Sequence, residues 1–163
     1  KHILPGGILQ RVQADARARP LATVSLLFLD ADGHVLIVEP LHDARWEIPG
    51  GPVNLGETPR GACARYVREQ LGLELPAGRL LVVDWAKHVA EERVCFVFDG
   101  GQLTDELLDA IELPSELESW ACMAEEELFV MLEPEGTRRV TAALPARTAG
   151  ETAYLENGTA AEF

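Results

Sequence analysis

The stretch GGPVNLGETPRGACARYVREQLGL, Gly50 to Leu73, decides how this chain reads. Paired glycines at Gly50 and Gly51 leave the backbone bare, so a ligand or metal can come close. Thr58 is an N-cap and Pro59 suits the first helical position. The helix is predicted to run to about Leu71, with Gly72 just past its end. Ala62, Tyr66 or Val67, and Leu71 recur at helical spacing and form its apolar stripe. Glu57 stands just before the helix, and Arg65, Glu69 and Gln70 lie on it. Arg65 and Glu69 are four apart and share a face. Glu57 and Arg65 are placed to pair across the loop-to-helix junction.

Outward from this stretch, Leu21 to Asp30 and Val35 to Val38 are apolar runs joined by Ala31-Asp32-Gly33-His34. They read as a hairpin with Asp32-Gly33 at the bend. A loop through Leu41 to Arg45 leads into Trp46-Glu47-Ile48-Pro49. Leu80 to Trp85 and Arg93 to Phe98 read as two further strands, the second ended by Gly100-Gly101. Thr104 to Ile111 is a short helix or a surface excursion. Ser119 to Met123 is another strand, Glu125 to Leu128 an acidic helix start, and Gly136 to Leu144 a last helix. The tail from Tyr154 is expected to be loosely ordered. Strands with a central and a terminal helix imply an α/β fold, a mixed sheet sandwiched between helices. The division expected is an N-terminal extension over 1–20, a domain over 21–155 and a tail over 156–163.

Composition sets the limits. At 163 residues and 47% hydrophobic content, one domain with a proper core is expected. No apolar run reaches the roughly 20 residues a membrane span needs, and Lys1 to Gln10 lacks a secretory pattern. Lys1 stands where a start Met is expected, consistent with a piece of a longer chain. Cys63, Cys95 and Cys122 are odd in number and widely spaced, which fits free thiols in a reducing cytoplasm. A net charge of −13 argues against nucleic-acid partners. It leaves room for a small phosphorylated molecule carried by a divalent cation. A homodimer is compatible with everything above.

The spacing over Gly51–Leu73 resembles the Nudix box. That motif runs Gly, five residues, Glu, seven residues, then Arg-Glu-aliphatic-any-Glu-Glu-any-Gly-aliphatic. Here the positions hold Gly51, Glu57, Arg65, Tyr66, Val67, Arg68, Glu69, Gln70, Leu71, Gly72 and Leu73, without a gap. Trp46 to Gly50 is similar to the usual approach to the box. Glu118-Ser119-Trp120 and Glu126-Glu127-Leu128 resemble the late strand and helix start of the family. The resemblance spans roughly Leu21 to Leu155. It implies the Nudix fold and hydrolysis of a nucleoside or other organic diphosphate with Mg²⁺ or Mn²⁺. By position, the Gly50 carbonyl, Glu69 and Gln70 would be the metal ligands. Glu69 would be the catalytic group, with Glu57 and Arg65 supporting and orienting it. Oxygen ligands suit such hard cations, which make a bridged diphosphate electrophilic.

Two positions depart from the motif. Tyr66 and Gln70 stand where the family has glutamates. Glutamine keeps the shape and an oxygen donor but loses the charge. Tyrosine adds a ring whose phenol is a poor base near neutral pH. A base would then come from elsewhere, with Glu91, Glu92, Glu116 and Glu118 as candidates; His42 and His88 titrate in the right range but are kept only as ligand contacts. Trp46, Arg45 and His88 are the expected ligand contacts, since Trp46 stands four residues before Gly50; Trp85 and Trp120 read as core. The losses keep two alternatives open: a binding or regulatory module that no longer hydrolyses phosphates, and an isomerase- or cyclase-like enzyme on the same scaffold.

Overall fold

The computed structural model describes residues 16–87 and 90–161. Its centre is β1 (Leu21–Leu29), whose side chains alternate between two cores as a pleated strand requires. Val24, Leu26 and Phe28 enter one core, and Leu27 and Leu29 enter the other. β2 (Val35–Pro40) splits in the same way, with Leu36 and Val38 on the first side and Val35 and Ile37 on the second. A strand buried on both faces needs cover on both.

Helices supply that cover. On the first side lies α1 (Pro59–Tyr66), which passes into a wider-pitched turn over Val67–Leu71 before Gly72 closes it in the left-handed conformation. The Thr58 hydroxyl accepts from the Gly61 N–H at 3.1 Å, the expected cap. Both Tyr66 and Val67 are buried, along with Ala62, Cys63 and Leu71. α2 (Asp105–Asp109) packs Leu107 and Leu108 against the same core. On the second side lie α3 (Glu125–Met131) and α4 (Pro134–Ala149), contributing Leu128, Val140 and Ala143.

The remaining strands are β3 (Gly50–Pro52), β4 (Leu80–Lys87), β5 (Glu92–Gln102), β6 (Leu117–Met123), β7 (Ala153–Glu156) and β8 (Thr159–Ala160). The sheet runs β6-β2-β1-β5-β4-β7-β8, with β3 laid against β1 beside β2. β1 pairs parallel with β5 and β4 parallel with β7, while the other named pairs are antiparallel. The mixed sheet between helices is the architecture expected. Among the described residues no helix is long and apolar enough to cross a membrane.

Two expectations are corrected. Gly100-Gly101 does not end β5, which continues to Gln102 with a shift of register opposite Leu27 and Phe28. The Phe28 ring lies where a side chain at Gly100 would stand, 2.5 Å from the position of its Cβ, so glycine keeps the strand running beneath the ring. The tail is not loose either. β7 and β8 extend the sheet past residue 155, turning at Asn157 (φ 53°) and Gly158 (φ 76°). Consecutive positive φ values at Asn-Gly are the signature of a tight hairpin turn.

Candidate active site

The site forms where β3 is trapped between β1 and the box helix. Gly50 pairs with Ser25 and Gly51 with Val24. A side chain at Gly50 would run into the Val24 carbonyl, and one at Gly51 would meet the Tyr66 hydroxyl at 2.5 Å. Bare backbone is thus needed for strand and helix to close on each other. Tyr66 and Gln70, one turn apart, form the stripe that faces this strand. The Tyr66 hydroxyl donates to the Pro52 carbonyl at 2.7 Å. Gln70 makes a cyclic amide pair with Gly50: the Gly50 N–H donates to its Oε1, and its Nε2 donates to the Gly50 carbonyl, both at 3.0 Å.

The neighbouring stripe carries charge. Glu57 accepts from Arg65 through both carboxylate oxygens, at 2.9 and 2.8 Å, and also from the Asn54 N–H at 2.9 Å. Arg65 further donates to the Pro52 carbonyl at 3.1 Å and stacks over the Tyr66 ring at 4.3 Å. The expected pairing of Glu57 with Arg65 is present, and its role is to fasten the loop to the helix. The Arg65 guanidinium, followed by the Asn54 N–H, draws the Glu57 carboxyl down from 4.5 to about 2. A depressed folded value means the stabilisation is complete above about pH 4.5 and is lost as pH falls toward 2. Urea melts taken from pH 5 down to 2 should therefore show a steeper loss for the native chain than for Glu57→Gln. Parallel curves would refute this role.

The expected cation ligands do not sit as a cation site. The Gly50 carbonyl faces an N–H donor of Gln70, and the Gln70 oxygen is taken by the Gly50 N–H. Replacing a carboxylate by an amide supplies the one group that can bond both halves of a peptide unit, which closes the gap a cation would occupy. Glu69 is 57% exposed and pairs with Arg65 at 3.3 Å. No group of three or more His, Cys, Asp or Glu placed to hold a metal ion occurs among the described residues. The donor set therefore does not fit a resident Mg²⁺ or Mn²⁺.

The box forms one wall of a cleft of about 660 Å³, through Gly50–Pro52 of β3 and Tyr66 and Gln70, with β1, β5, the Asp43–Ile48 loop and the start of α4 as the others. Arg45 and Trp46, two expected contacts, line it. Arg45 donates to the Leu132 carbonyl at 3.1 Å, and the Trp46 N–H to that of Met131 at 2.9 Å. His88 lies outside the described residues. Of the base candidates, Glu91 pairs with the cleft residue Arg93, Glu92 opens β5, Glu118 is exposed on β6, and Glu116 borders a neighbouring shallow pocket together with His42. Trp120 packs against the first core, whereas Trp85 is 36% exposed on β4 rather than buried.

Apart from Arg45, most of the cleft's own ionisable groups went unassigned in the sequence. They include Asp43, Glu47, Glu133 and Glu135, with Arg93 and Arg139. Glu47 is pinned by a two-way backbone bridge to Val38. Solvent reaches its carboxyl, yet the cleft walls crowd it. That desolvation, followed by Asp43 and Glu133, raises it above the usual carboxylate range. Its signal was its place beside Trp46 in the approach to the box. Cys95 also lines the cleft, while burial pushes the Cys63 thiol under α1 up to about 12, far from a reactive thiolate.

A mixed sheet between helices, with a Gly-Gly strand clasped to a helix and a cleft opening beside it, defines an α/β domain built around a Nudix box. The chain belongs to the NUDIX domain family, whose profile matches residues 19–144. It is 34% identical over 68 residues to a MutT-like protein of Streptomyces ambofaciens. That match covers 40% of this chain and 44% of the relative, so the chain spans less than half that protein's length. In fold it is similar to a MutT protein from Methanosarcina mazei Go1, with a TM-score of 0.66, 20% identity, and 83% of this chain and 99% of that one covered. It is also similar to a UDP-X diphosphatase, with a TM-score of 0.72, 19% identity, and 94% and 76% covered.

Proposed function

We propose that this chain takes a small phosphorylated molecule, such as a nucleoside diphosphate, into the cleft beside the box, and that it does not hydrolyse it through a box-bound cation. The carrying observation is the amide pair between Gln70 and Gly50, which engages two of the three expected cation ligands, the third, Glu69, being turned to Arg65 and solvent. The fold of the family is retained, and two of the carboxylates that would organise a metal are replaced by Tyr66 and Gln70. Incubation with a panel of nucleoside diphosphates and their sugar conjugates, in Mg²⁺ or Mn²⁺, should give turnover at the uncatalysed background. Glu69→Gln should leave that background unmoved. Metal-dependent turnover that disappears in Glu69→Gln would overturn this reading.

A second reading is a hydrolase of a nucleoside or other organic diphosphate that uses Mg²⁺ or Mn²⁺ and a base outside the box. Glu47 favours it, because its carboxyl stands in the cleft and is more basic than usual. The diphosphatase named among similar folds supports the same substrate class. Under this reading the same panel gives turnover, and Glu47→Gln abolishes it.

A further inference from the structure

Arg93 lies at the start of β5, registered beside Leu21 of β1 and Ala86 of β4. Alternation along β5 puts Arg93, Cys95 and Val97 on the strand floor of the cleft. The Arg93 Nε is buried and has no hydrogen-bond partner, alone in this among the described side chains. Its Nη2 reaches Glu91 at 3.2 Å, a carboxylate 44% exposed and therefore a weak neutraliser. Arg139, in the same cleft, is the contrast: it is held at 2.7 Å by the buried Asp84 and at 3.4 Å by Glu135. A buried guanidinium donor left unmade is a costly defect, and such defects persist where a ligand makes use of them.

The cleft acids Asp43, Glu47, Glu133 and Glu135 lie on elements other than the strand floor. Asp43 and Glu133 are the charges that crowd Glu47, on the loop and α4 walls. Among the arginines that line the cleft, Arg93 is the one with a buried donor left unmade, whereas Arg45 donates to the Leu132 carbonyl and Arg139 is held by Asp84 and Glu135. The planar fork of Arg93 suits a phosphate better than a point charge does.

We propose that Arg93 anchors the anionic group of the bound molecule, so that a guanidinium in place of a divalent cation meets the phosphate charge. The proposal rests on the reading that the cleft takes a phosphorylated ligand. The closed box gives it a reason: a protein without a resident cation still needs a counter-charge.

The test is calorimetric titration of the intact chain with ADP, once with excess EDTA and once with Mg²⁺, alongside thermal melts. Affinity should be the same in both buffers. Arg93→Gln should weaken it at least about tenfold, with Arg93→Lys in between. Arg68→Gln, on the exposed face of the box helix, should leave it unchanged. Because Arg93→Gln removes an unmade bond, its melting temperature should hold or rise, whereas a structural arginine would lower it. Binding that requires Mg²⁺, or binding unaffected by Arg93→Gln, overturns this proposal and leaves the cleft reading standing. Failure of ADP, pyrophosphate and sugar-linked diphosphates alike to bind the native chain overturns both.

Discussion

Converting Tyr66 and Gln70 together to glutamate should create a Mg²⁺ site that the native chain lacks. In the double variant the Gly50 carbonyl loses its donor, and two carboxylates join Glu69 around it, the oxygen-rich set that hard cations take. Calorimetry should register Mg²⁺ binding to the variant and none to the native protein at millimolar concentrations. The change is not free. A glutamate at position 70 sets carboxylate against carbonyl, and one at position 66 puts a charge where a 9%-exposed ring packed. Each lost partnership of this kind costs about 1–3 kcal/mol. Without metal the variant should therefore unfold at lower urea than the native chain. The carboxyl introduced by Gln70→Glu keeps the Gly50 N–H in either protonation state but can bond the Gly50 carbonyl only when protonated, and that second contact pushes its folded pKa upward. Stability from that bond is present at low pH and is lost as pH rises through the folded value, which makes the deficit larger at pH 7 than at pH 5. Saturating Mg²⁺ should restore stability at pH 7 by binding the folded state alone. If native and variant bind Mg²⁺ equally well, the closed-box account fails.

The largest loss of stability should come from a place remote from the box. Asp84, in the middle of β4, is wholly buried. One oxygen accepts from Arg139 of α4 at 2.7 Å and the other from the Gly158 N–H of the terminal turn at 2.9 Å. Arg139→Leu leaves that carboxylate buried without its cation, a change that costs about 3–5 kcal/mol. Replacing Asp84 and Arg139 together by leucine should recover much of the loss, because no uncompensated charge remains. Chemical denaturation of the three variants measures both effects. Additive losses in the double variant would show that the pair is not coupled.

The box was legible because its signals are local and backbone-driven. Thr58, Pro59 and Gly72 each act within a turn of their own position, and the structure places all three as read. What Tyr66 and Gln70 do there was not legible. Substituting a neutral group for a carboxylate states what is lost, but the replacement bonds depend on Gly50 and Pro52 lying opposite. The cleft ionisable groups escaped for a related reason. Arg93 and Glu47 come to line one cleft only when β1 and β5 pair in parallel and the Trp46 loop folds beside them, a long-range arrangement with no short motif. The terminal hairpin is different: Asn157-Gly158 is a strong hairpin signal and lay in plain view. It was outweighed by the polar composition around it, and the strand's reason to exist, β4 waiting for a partner, is a tertiary fact.

That partner arrives late. β4 is complete by Lys87, but the strand that covers its outer side begins at Ala153. During synthesis the edge carrying Trp85 therefore stands unpaired while the intervening segment is made. An open edge of this length is a template for pairing with other chains. Asp84 sits on that same edge and gains the Gly158 N–H only when the turn is laid down. Arg139 is made before that turn and can answer one oxygen of Asp84, so what the unfinished chain lacks is the N–H for the other oxygen and the strand that closes the edge.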